Sequence, residues 1–577
     1  MSVAVLLVGL GPLGPSPAVA EQTVGLFVNE TPQEGLTLFN PAASNTSYLL
    51  SNDGLLVHSW NTPFRPGAMG YLLENGHLLR AARLSVVDSR WIAVAAAGGR
   101  VEEYDWENNR LWEFEYSAAE HLTHHDMEPL PNGNVLLVAW EVVTEAEAIA
   151  EGKSPVLVDT ELWIDHVIEV RRTPPFGGEI VWEWHARDHL IQDIDPTKGN
   201  FGPVEDHPEL IDFNFGGPGT DWTHVNGIDY NAEFDQIVLS VHALDEIWII
   251  DHSTTTAEAA GHTGGTYGKG GDLLYRWGNP QIYRGGSASD QQLFHQHDSQ
   301  WIEEGRPGAG NIIVFNNGQN RPGGDYSSVE EIVPPVDPNG FYASPAPGGA
   351  FGPETPIWSY VASPPLSFYQ PARSGAERQP NGNTLICAAA QGRAFEVEPD
   401  GDLMWEYINP LGPGGFATQG GNTGNNGVFK VRRYPLDFPG FAGRDLTPGD
   451  PLETFSPPYP VPDDFLRVDK VIADGTTLDV EWNAFSCPSS DYNLIYGPLQ
   501  EVATYEISGA ECGVGLSGGF LWSGVPGSDL FFLIVGTDIL DIYESSWGRD
   551  SDGGERYGTK ASFQCGTTTK VVSSTCP

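Results

Sequence analysis

Short apolar runs alternating with polar residues, each bounded by Gly, Asn, Pro or Asp, fill most of the chain. This period of two predicts half-buried β-strands joined by tight turns. Three strand types recur. A tryptophan strand appears as G-L-L-V-H-S-W with Trp60, N-R-L-W-E-F with Trp112, G-E-I-V-W-E-W with Trp182, D-L-L-Y-R-W with Trp277, T-P-I-W-S-Y with Trp358 and G-D-L-M-W-E-Y with Trp405. A turn feeding an apolar strand appears as E-N-G-H-L-L from Glu74, P-N-G-N-V-L-L-V from Pro131, E-F-D-Q-I-V-L-S from Glu233, G-N-I-I-V-F from Gly310 and P-N-G-N-T-L-I-C from Pro380. A third type runs V-E-E-Y from Val101, V-I-E-V from Val167, I-W-I-I-D from Ile247, V-E-E-I from Val329, F-E-V from Phe395 and F-K-V from Phe429. Asn-Gly turns between alternating runs mark hairpins. Each repeat is therefore an antiparallel sheet, and radial repetition of such sheets gives a β-propeller. Six tryptophan strands predict an all-β, six-bladed propeller over residues 21–435, closed by pairing Ser47–Trp60 with Gly427–Arg432. The tryptophans lie 47 to 95 residues apart, so the insertions Arg187–Asp221 and Asp251–Gly271 are expected as loops on one face.

Length adds a second domain, because 577 residues exceed what one core serves. Residues 436–465 are rich in proline (L-T-P-G-D-P-L-E-T-F-S-P-P-Y-P-V-P-D-D) and read as a stiff linker. The strands L-R-V-D-K-V-I-A-D-G-T-T-L-D-V-E-W and Y-N-L-I-Y-G that follow predict a small β-sandwich, similar to fibronectin or immunoglobulin modules, over 466–577. Four of five cysteines, Cys487, Cys512, Cys565 and Cys576, fall in this region and suggest disulfides. Three pairings are open, and the sequential one, 487–512 with 565–576, is the expectation. Cys387, in a strand-like run, is expected buried and unpaired.

Charge narrows the partners. With 77 acidic against 29 basic side chains the net charge is −48, which argues against nucleic acid and requires a local positive site for any anionic substrate. Residues 1–20, an apolar run closing on Ala18-Val19-Ala20, read as a signal peptide, and the protein is expected to be secreted or periplasmic. They lack a basic start, and a buried first strand is the alternative. No other run reaches the ~20 apolar residues of a membrane span.

The candidate chemistry lies in histidines. In T-H-H-D-M-E-P-L-P-N-G-N, His125 precedes the turn Asn132 by seven residues; D-W-T-H-V-N-G-I-D-Y places His224, and F-H-Q-H-D-S-Q-W places His297, before their own strands. Equivalent positions of successive blades stand around the axis, so these three rings are predicted to converge at the mouth of the channel. The same slot of the next blade holds Ser374, flanked by Arg373, Glu377 and Arg378. Asp126 and Asp298 follow their histidines directly, and the strand alternation turns them toward neighbouring blades. Three imidazoles from separate blades could instead hold a transition metal with an open position. The acidic turns D-P-N-G (337–340) and D-S-D-G-G-E (550–555) complete no recognised calcium loop, although structural calcium stays an alternative.

H-V-N-G-I with I-V-L-S and I-W-I-I-D, R-W-G-N-P, Q-H-D-S-Q, F-N-N-G-Q-N-R with Y-S-S-V-E-E-I, and P-N-G-N-T-L-I-C with G-R-A-F-E-V resemble the bacterial arylsulfotransferases, over about residues 120–435. These are six-bladed propellers that move a sulfuryl group between phenols without a nucleotide. The resemblance implies that His224 and His297 polarise the sulfate oxygens and that an arginine after the second motif, Arg321, adds positive charge; Asn226, Ser374 and Arg378 are expected to line the substrate site. It also implies a nucleophilic histidine from the next blade, yet no histidine follows His297. His125 is then the first candidate nucleophile. The partners would be an aryl sulfate and a phenol, with the C-terminal module contacting a surface or polymer. The competing readings are a metal-dependent propeller enzyme and a non-catalytic binding propeller that has lost its nucleophile.

Overall fold

The computed structural model describes residues 22–572 apart from 85–87, 92, 93, 95, 347, 422, 454–465, 472–475, 483–488, 503, 517, 528, 539–541, 548–555 and 557. The expected signal peptide, most of the proline-rich linker, Cys487 and Cys576 lie outside the described residues. The protein is nearly all-β, 41% strand against 8% helix, and forms two compact units. One spans Val24–Ala417 and Thr423–Leu452; the other starts at Glu453 and includes the short segment around Thr418.

The larger unit contains six antiparallel sheets in which chain order is strand order. Sheet 1 consists of Arg432–Tyr434, Leu36–Phe39, Thr46–Ser51 and Leu56–Asn61, and sheet 2 of Pro66–Leu72, Leu78–Arg83, Gly99–Tyr104 and Arg110–Glu115. Sheet 3 consists of His121–Pro129, Val135–Thr144, Glu161–Arg172 and Gly178–His185, and sheet 4 of Val225–Asn231, Gln236–Val241, Glu246–Asp251 and Tyr275–Trp277. Sheet 5 consists of His297–Trp301, Ile312–Asn316, Ser328–Ile332 and Trp358–Val361. Sheet 6 consists of Gly375–Arg378, Thr384–Ala388, Arg393–Val397 and Leu403–Ile408, with Gly25–Asn29 added beyond it.

All six predicted tryptophans occupy the fourth strand of their sheet, and each indole N–H reaches the next sheet. Trp60 donates to Asp105 O (2.9 Å), Trp112 to Gly177 O (2.7 Å), Trp182 to Thr254 Oγ1 (3.1 Å) and Trp277 to Pro353 O (2.7 Å). Trp358 donates to Pro399 O (2.8 Å) and Trp405 to Asn52 O (2.7 Å), which returns the series from sheet 6 to sheet 1. The bonds form a closed cycle. Hydrophobic clusters fill the same junctions: Leu38, Trp60 and Leu78 between sheets 1 and 2, Leu79, Trp112 and Leu137 between 2 and 3, and Leu50, Leu385 and Trp405 between 6 and 1. Burying such side chains, at about 1.5–3 kcal/mol each, supplies most of the stability.

Two expectations about closure are corrected. The C-terminal strand is Arg432–Tyr434 and pairs with Leu36–Phe39, which in turn pairs with Thr46–Ser51; the Ser47–Trp60 segment is one and two strands further out. Phe429-Lys430-Val431 is accordingly not a third strand but the approach to the first strand of sheet 1, whose third strand is Thr46–Ser51. The larger unit also extends past residue 435, because Phe441 packs in the cluster around Trp60 and the Arg444 guanidinium lies over the Trp106 ring.

In the smaller unit a three-stranded sheet (Leu466–Lys470, Thr477–Trp482, Gly519–Ser523) and a five-stranded sheet built around Asp491–Pro498 and Leu530–Thr537 share a cluster of Val480, Trp482, Tyr492, Leu494, Trp522 and Ile534. The disulfide joins Cys512 to Cys565 with Cα atoms 5.6 Å apart, which overturns both expected sequential pairs. Spacing along the chain cannot reveal which strands the fold lays side by side. Cys387 is buried and unpaired.

Candidate functional site

The inner strands of sheets 3 to 6 are entered or broken by a residue in the left-handed region: His125 (φ 53°), His224 (50°), Asp298 (56°) and Ser374 (85°), with Arg373 at 58°. For a residue bearing a Cβ this conformation costs on the order of 1–2 kcal/mol, and it persists only where the surroundings impose it. Here backbone bonds do so: His125 N donates to Ala96 O (3.1 Å) and Ser374 N to Phe429 O (3.2 Å). In sheets 3, 4 and 6 the kink falls on the slot residue itself, and in sheet 5 one position later, at Asp298 beside His297.

The three predicted histidines meet there, through a fourth. The His125 and His224 ring centroids are 4.7 Å apart, His224 and His242 4.6 Å, and His242 and His297 5.1 Å. His124 and His295 extend the cluster at either side, the first with its Nδ1 2.7 Å from that of His125, the second with its ring 4.7 Å from His242. The Phe429 ring closes it at 5.9 Å from His125 and 6.5 Å from His297.

Partners set the charge on each ring. His224 Nδ1 donates to Asp221 Oδ2 (2.6 Å); burial disfavours the charged ring, but the Asp221 carboxylate outweighs it and the pKa is raised. The Asp221 carboxylate thus holds His224 toward its charged form. Burial first, then neighbouring imidazoles, hold His125 and His242 well below the ordinary histidine value, so both are neutral. His297 is neutral through burial as well, with both ring nitrogens bonded. Its Nδ1–H donates to Asn317 Oδ1 (2.8 Å), its Nε2 accepts the Arg373 backbone N–H (3.0 Å), and burial lowers its pKa to about 3.

Asp165 Oδ1 lies 2.7 Å from His124 Nε2 without the alignment of a hydrogen bond. His124 Nδ1 and His125 Nδ1 stand 2.7 Å apart, so one ring donates to the other, and His125 Nε2 meets no partner among the described residues. Asp165 is itself fixed by Thr223 Oγ1 (2.5 Å) and Val225 N (2.9 Å), and Trp140 stacks on His124 at 3.7 Å.

The remaining expected site residues fall elsewhere. Arg321, in the loop before the third strand of sheet 5, donates to Ser328 Oγ (2.8 Å), lies 3.8 Å from Glu330 and covers the Tyr326 ring. Arg378, at the far end of its strand, pairs with Glu331 (2.5 Å) and lies over Trp358. Both charges are neutralised within the scaffold. Ser374 is fully buried with Oγ accepting Ala389 N–H (3.2 Å). Asn226 donates to Gln296 O (2.8 Å) and leaves its buried Oδ1 unpaired, an acceptor that no anion can use. Arg373, which flanks Ser374, makes no ion pair among the described residues and stands by Gly427, where an added Cβ would lie 3.2 Å from its Nη1. Asp126 and Asp298 bridge sheets as the alternation predicts: both meet buried Lys430, at 2.8 and 2.7 Å, and Asp126 also accepts from Tyr71 OH (2.8 Å). Of the acidic turns, Asp337 accepts Asn339 N (2.8 Å) and Phe341 N (3.0 Å) as an ordinary turn, and 550–555 lies outside the described residues.

His242 was missed, although a signal existed. Val225 pairs with Val241, so the hairpin register sets His242 opposite His224, and His242 N donates to His224 O (3.1 Å).

A cyclic stack of antiparallel sheets with imidazoles of fixed and unequal charge at one end of its inner strands defines a β-sheet scaffold built around a polar centre. The chain belongs to the arylsulfotransferase (ASST) family, whose profile matches residues 28–331, more than half of its length. No curated protein matches it. Among solved structures it is similar to a protein of unknown function from Bacteroides caccae (10% identity, 69% of this chain and 98% of that one, TM-score 0.38). It is also similar to virginiamycin B lyase from Staphylococcus aureus (8%, 68% and 87%, 0.32) and to the β-propeller domain of Cps50 (Swd1) from Myceliophteria thermophila (10%, 72% and 97%, 0.33). Among the described residues no helix is long and apolar enough to cross a membrane.

Proposed function

We propose that the protein is an exported, nucleotide-independent aryl sulfotransferase whose site lies on the axis of a six-bladed β-propeller. The closed cycle of indole bonds supports the blade count. The disulfide supports an oxidising compartment. A two-sheet, sandwich-like C-terminal module with Leu516, Leu521 and Phe563 exposed supports its attachment to a surface or polymer.

The observation that carries the reading is a cationic His224 beside a neutral His125 whose Nε2 is free. His125 Nε2 attacks the sulfur of an aryl sulfate; an N–S bond forms as the S–O(aryl) bond breaks, and the departing phenolate takes the Nε2 proton of His224. The acceptor phenol then attacks the same sulfur, the N–S bond breaks, and the phenol proton returns to His224. His224 and Arg373 balance the charge developing on the sulfuryl oxygens, so Arg373 fills the role foreseen for Arg321. His297 serves by position: it holds the Arg373 backbone and stays neutral. The arrangement does not favour a three-histidine metal centre, because His297 would have to release either Asn317 or Arg373 to become a ligand.

The test is sulfuryl transfer from 4-nitrophenyl sulfate to phenol. His224→Ala should lose about 10²–10³-fold in kcat. Asp221→Asn should move the alkaline fall of the rate to lower pH, since activity needs protonated His224 and vanishes as pH rises through its raised pKa. A wild-type protein inactive with phenolic donors would end the proposal.

A further inference from the structure

The two long insertions, 187–221 and 251–271, meet away from the central histidines at a second cluster. His189 Nδ1 and His262 Nδ1 lie 2.8 and 2.7 Å from the same oxygen, Asp272 Oδ1, and the three ligand atoms all fall within 4.8 Å of one another. From this we propose a zinc site formed by His189, His262 and Asp272, a ligand set of the borderline nitrogen and oxygen type that zinc takes in tetrahedral geometry.

The surroundings of His189 are those of a metal ligand. Its ring is fully buried, and Nε2–H donates to Ala259 O (2.9 Å), the outer bond that fixes the tautomer and leaves the Nδ1 lone pair facing inward. Ala259 is held by the short helix Thr256–Ala259, whose Thr255 and Glu258 cap each other's backbone. Trp184 lies parallel to the ring at 5.7 Å and anchors Gly271 O through its indole N–H (2.7 Å). Gly271 permits this closeness: a Cβ there would sit 2.6 Å from His189 Nε2 and 2.0 Å from Ala259 O.

The dimensions suit the ion. Ligand atoms around tetrahedral zinc stand about 3.3 Å apart, so the two separations from Asp272 Oδ1 need to open by roughly half an ångström. His262 supplies that movement, being 60% exposed at its side chain. It also lines a cavity of about 590 Å³ with Arg187, Lys198 and His207, which gives the ion an entry path and the fourth position an outlet.

The experiment uses the full chain, stripped with a chelator and titrated with Zn²⁺ by calorimetry and elemental analysis, and with Co²⁺ by visible absorption. His262→Ala is the key variant, since its exposed ring can be lost without unfolding; Asp272→Asn is the second. His125→Ala serves as a control for zinc taken up by the central histidines. The expected result is one zinc equivalent bound by wild type and His125→Ala, weakened at least tenfold in His262→Ala, with a zinc-dependent rise in Tm and a tetrahedral cobalt spectrum that both disappear in that variant. No uptake by wild type, or equal uptake and affinity in His262→Ala, overturns the proposal.

Discussion

The rim and the hub of the larger unit are built on opposite principles. At the rim one device, an indole N–H reaching the next sheet, repeats at every junction. At the hub nothing repeats. Sheet 3 brings a His124–His125 pair, sheet 4 a cationic His224 with a neutral His242, sheet 5 a neutral His297, and sheet 6 a serine and an arginine. The lesson is that repetition specifies the scaffold, while departures from it at equivalent slots place the chemistry.

That division can be broken by measurement. The largest effect is expected at His125: His125→Ala should lose on the order of 10⁴-fold in kcat while its urea midpoint moves little, and near-wild-type turnover would remove it as nucleophile. Lys430→Met should be next, because it leaves two buried carboxylates, Asp126 and Asp298, uncompensated; a loss of about 3–5 kcal/mol in unfolding free energy is expected. A change below ~1 kcal/mol would mean that the Lys430 ion pairs are not structural.

A smaller effect depends on pH at the rim. His252 bonds Asp235 (2.7 Å) and Glu169 (3.2 Å) between sheets 3 and 4; burial works against its charge, but the two carboxylates prevail and raise its pKa to about 9. Its folded value exceeds the unfolded value of about 6.5, so its contribution is complete below pH ~6.5 and is lost as pH rises through about 9. Unfolding curves of wild type and His252→Gln should therefore converge at high pH, and parallel curves would refute the assignment. The smallest effect belongs to Trp405→Phe, which loses the bond to Asn52 O and leaves the space of the missing pyrrole ring, at about 1–2 kcal/mol with activity intact. Lost activity in that variant would blur the separation of rim from hub.

Much of this was legible in the chain. The tryptophan strands, the Asn-Gly turns and the slots of His125 and His224 carry a period that survives folding, because each sheet repeats the same local hairpins. Other features have no local signature. The partner of Arg432–Tyr434 and the Cys512–Cys565 bond depend on which distant strands lie adjacent. The bonding of His297 has no local signature either, because Asn317 and the Arg373 amide come from loops that the spacing does not locate. Arg321 and Arg378 looked available as free charges until Glu330 and Glu331 were placed beside them.

By itself the sequence determined a chain of antiparallel hairpins in repeating sheets, and it named the residue types that could do chemistry, since turn propensity, strand alternation and repeat spacing are local. Only the tertiary structure decided which imidazoles are buried together, which of them meets a carboxylate, and where the two insertions bring His189, His262 and Asp272 together. Those outcomes rest on burial and on hydrogen bonds between residues tens to hundreds of positions apart, and no short-range pattern encodes them.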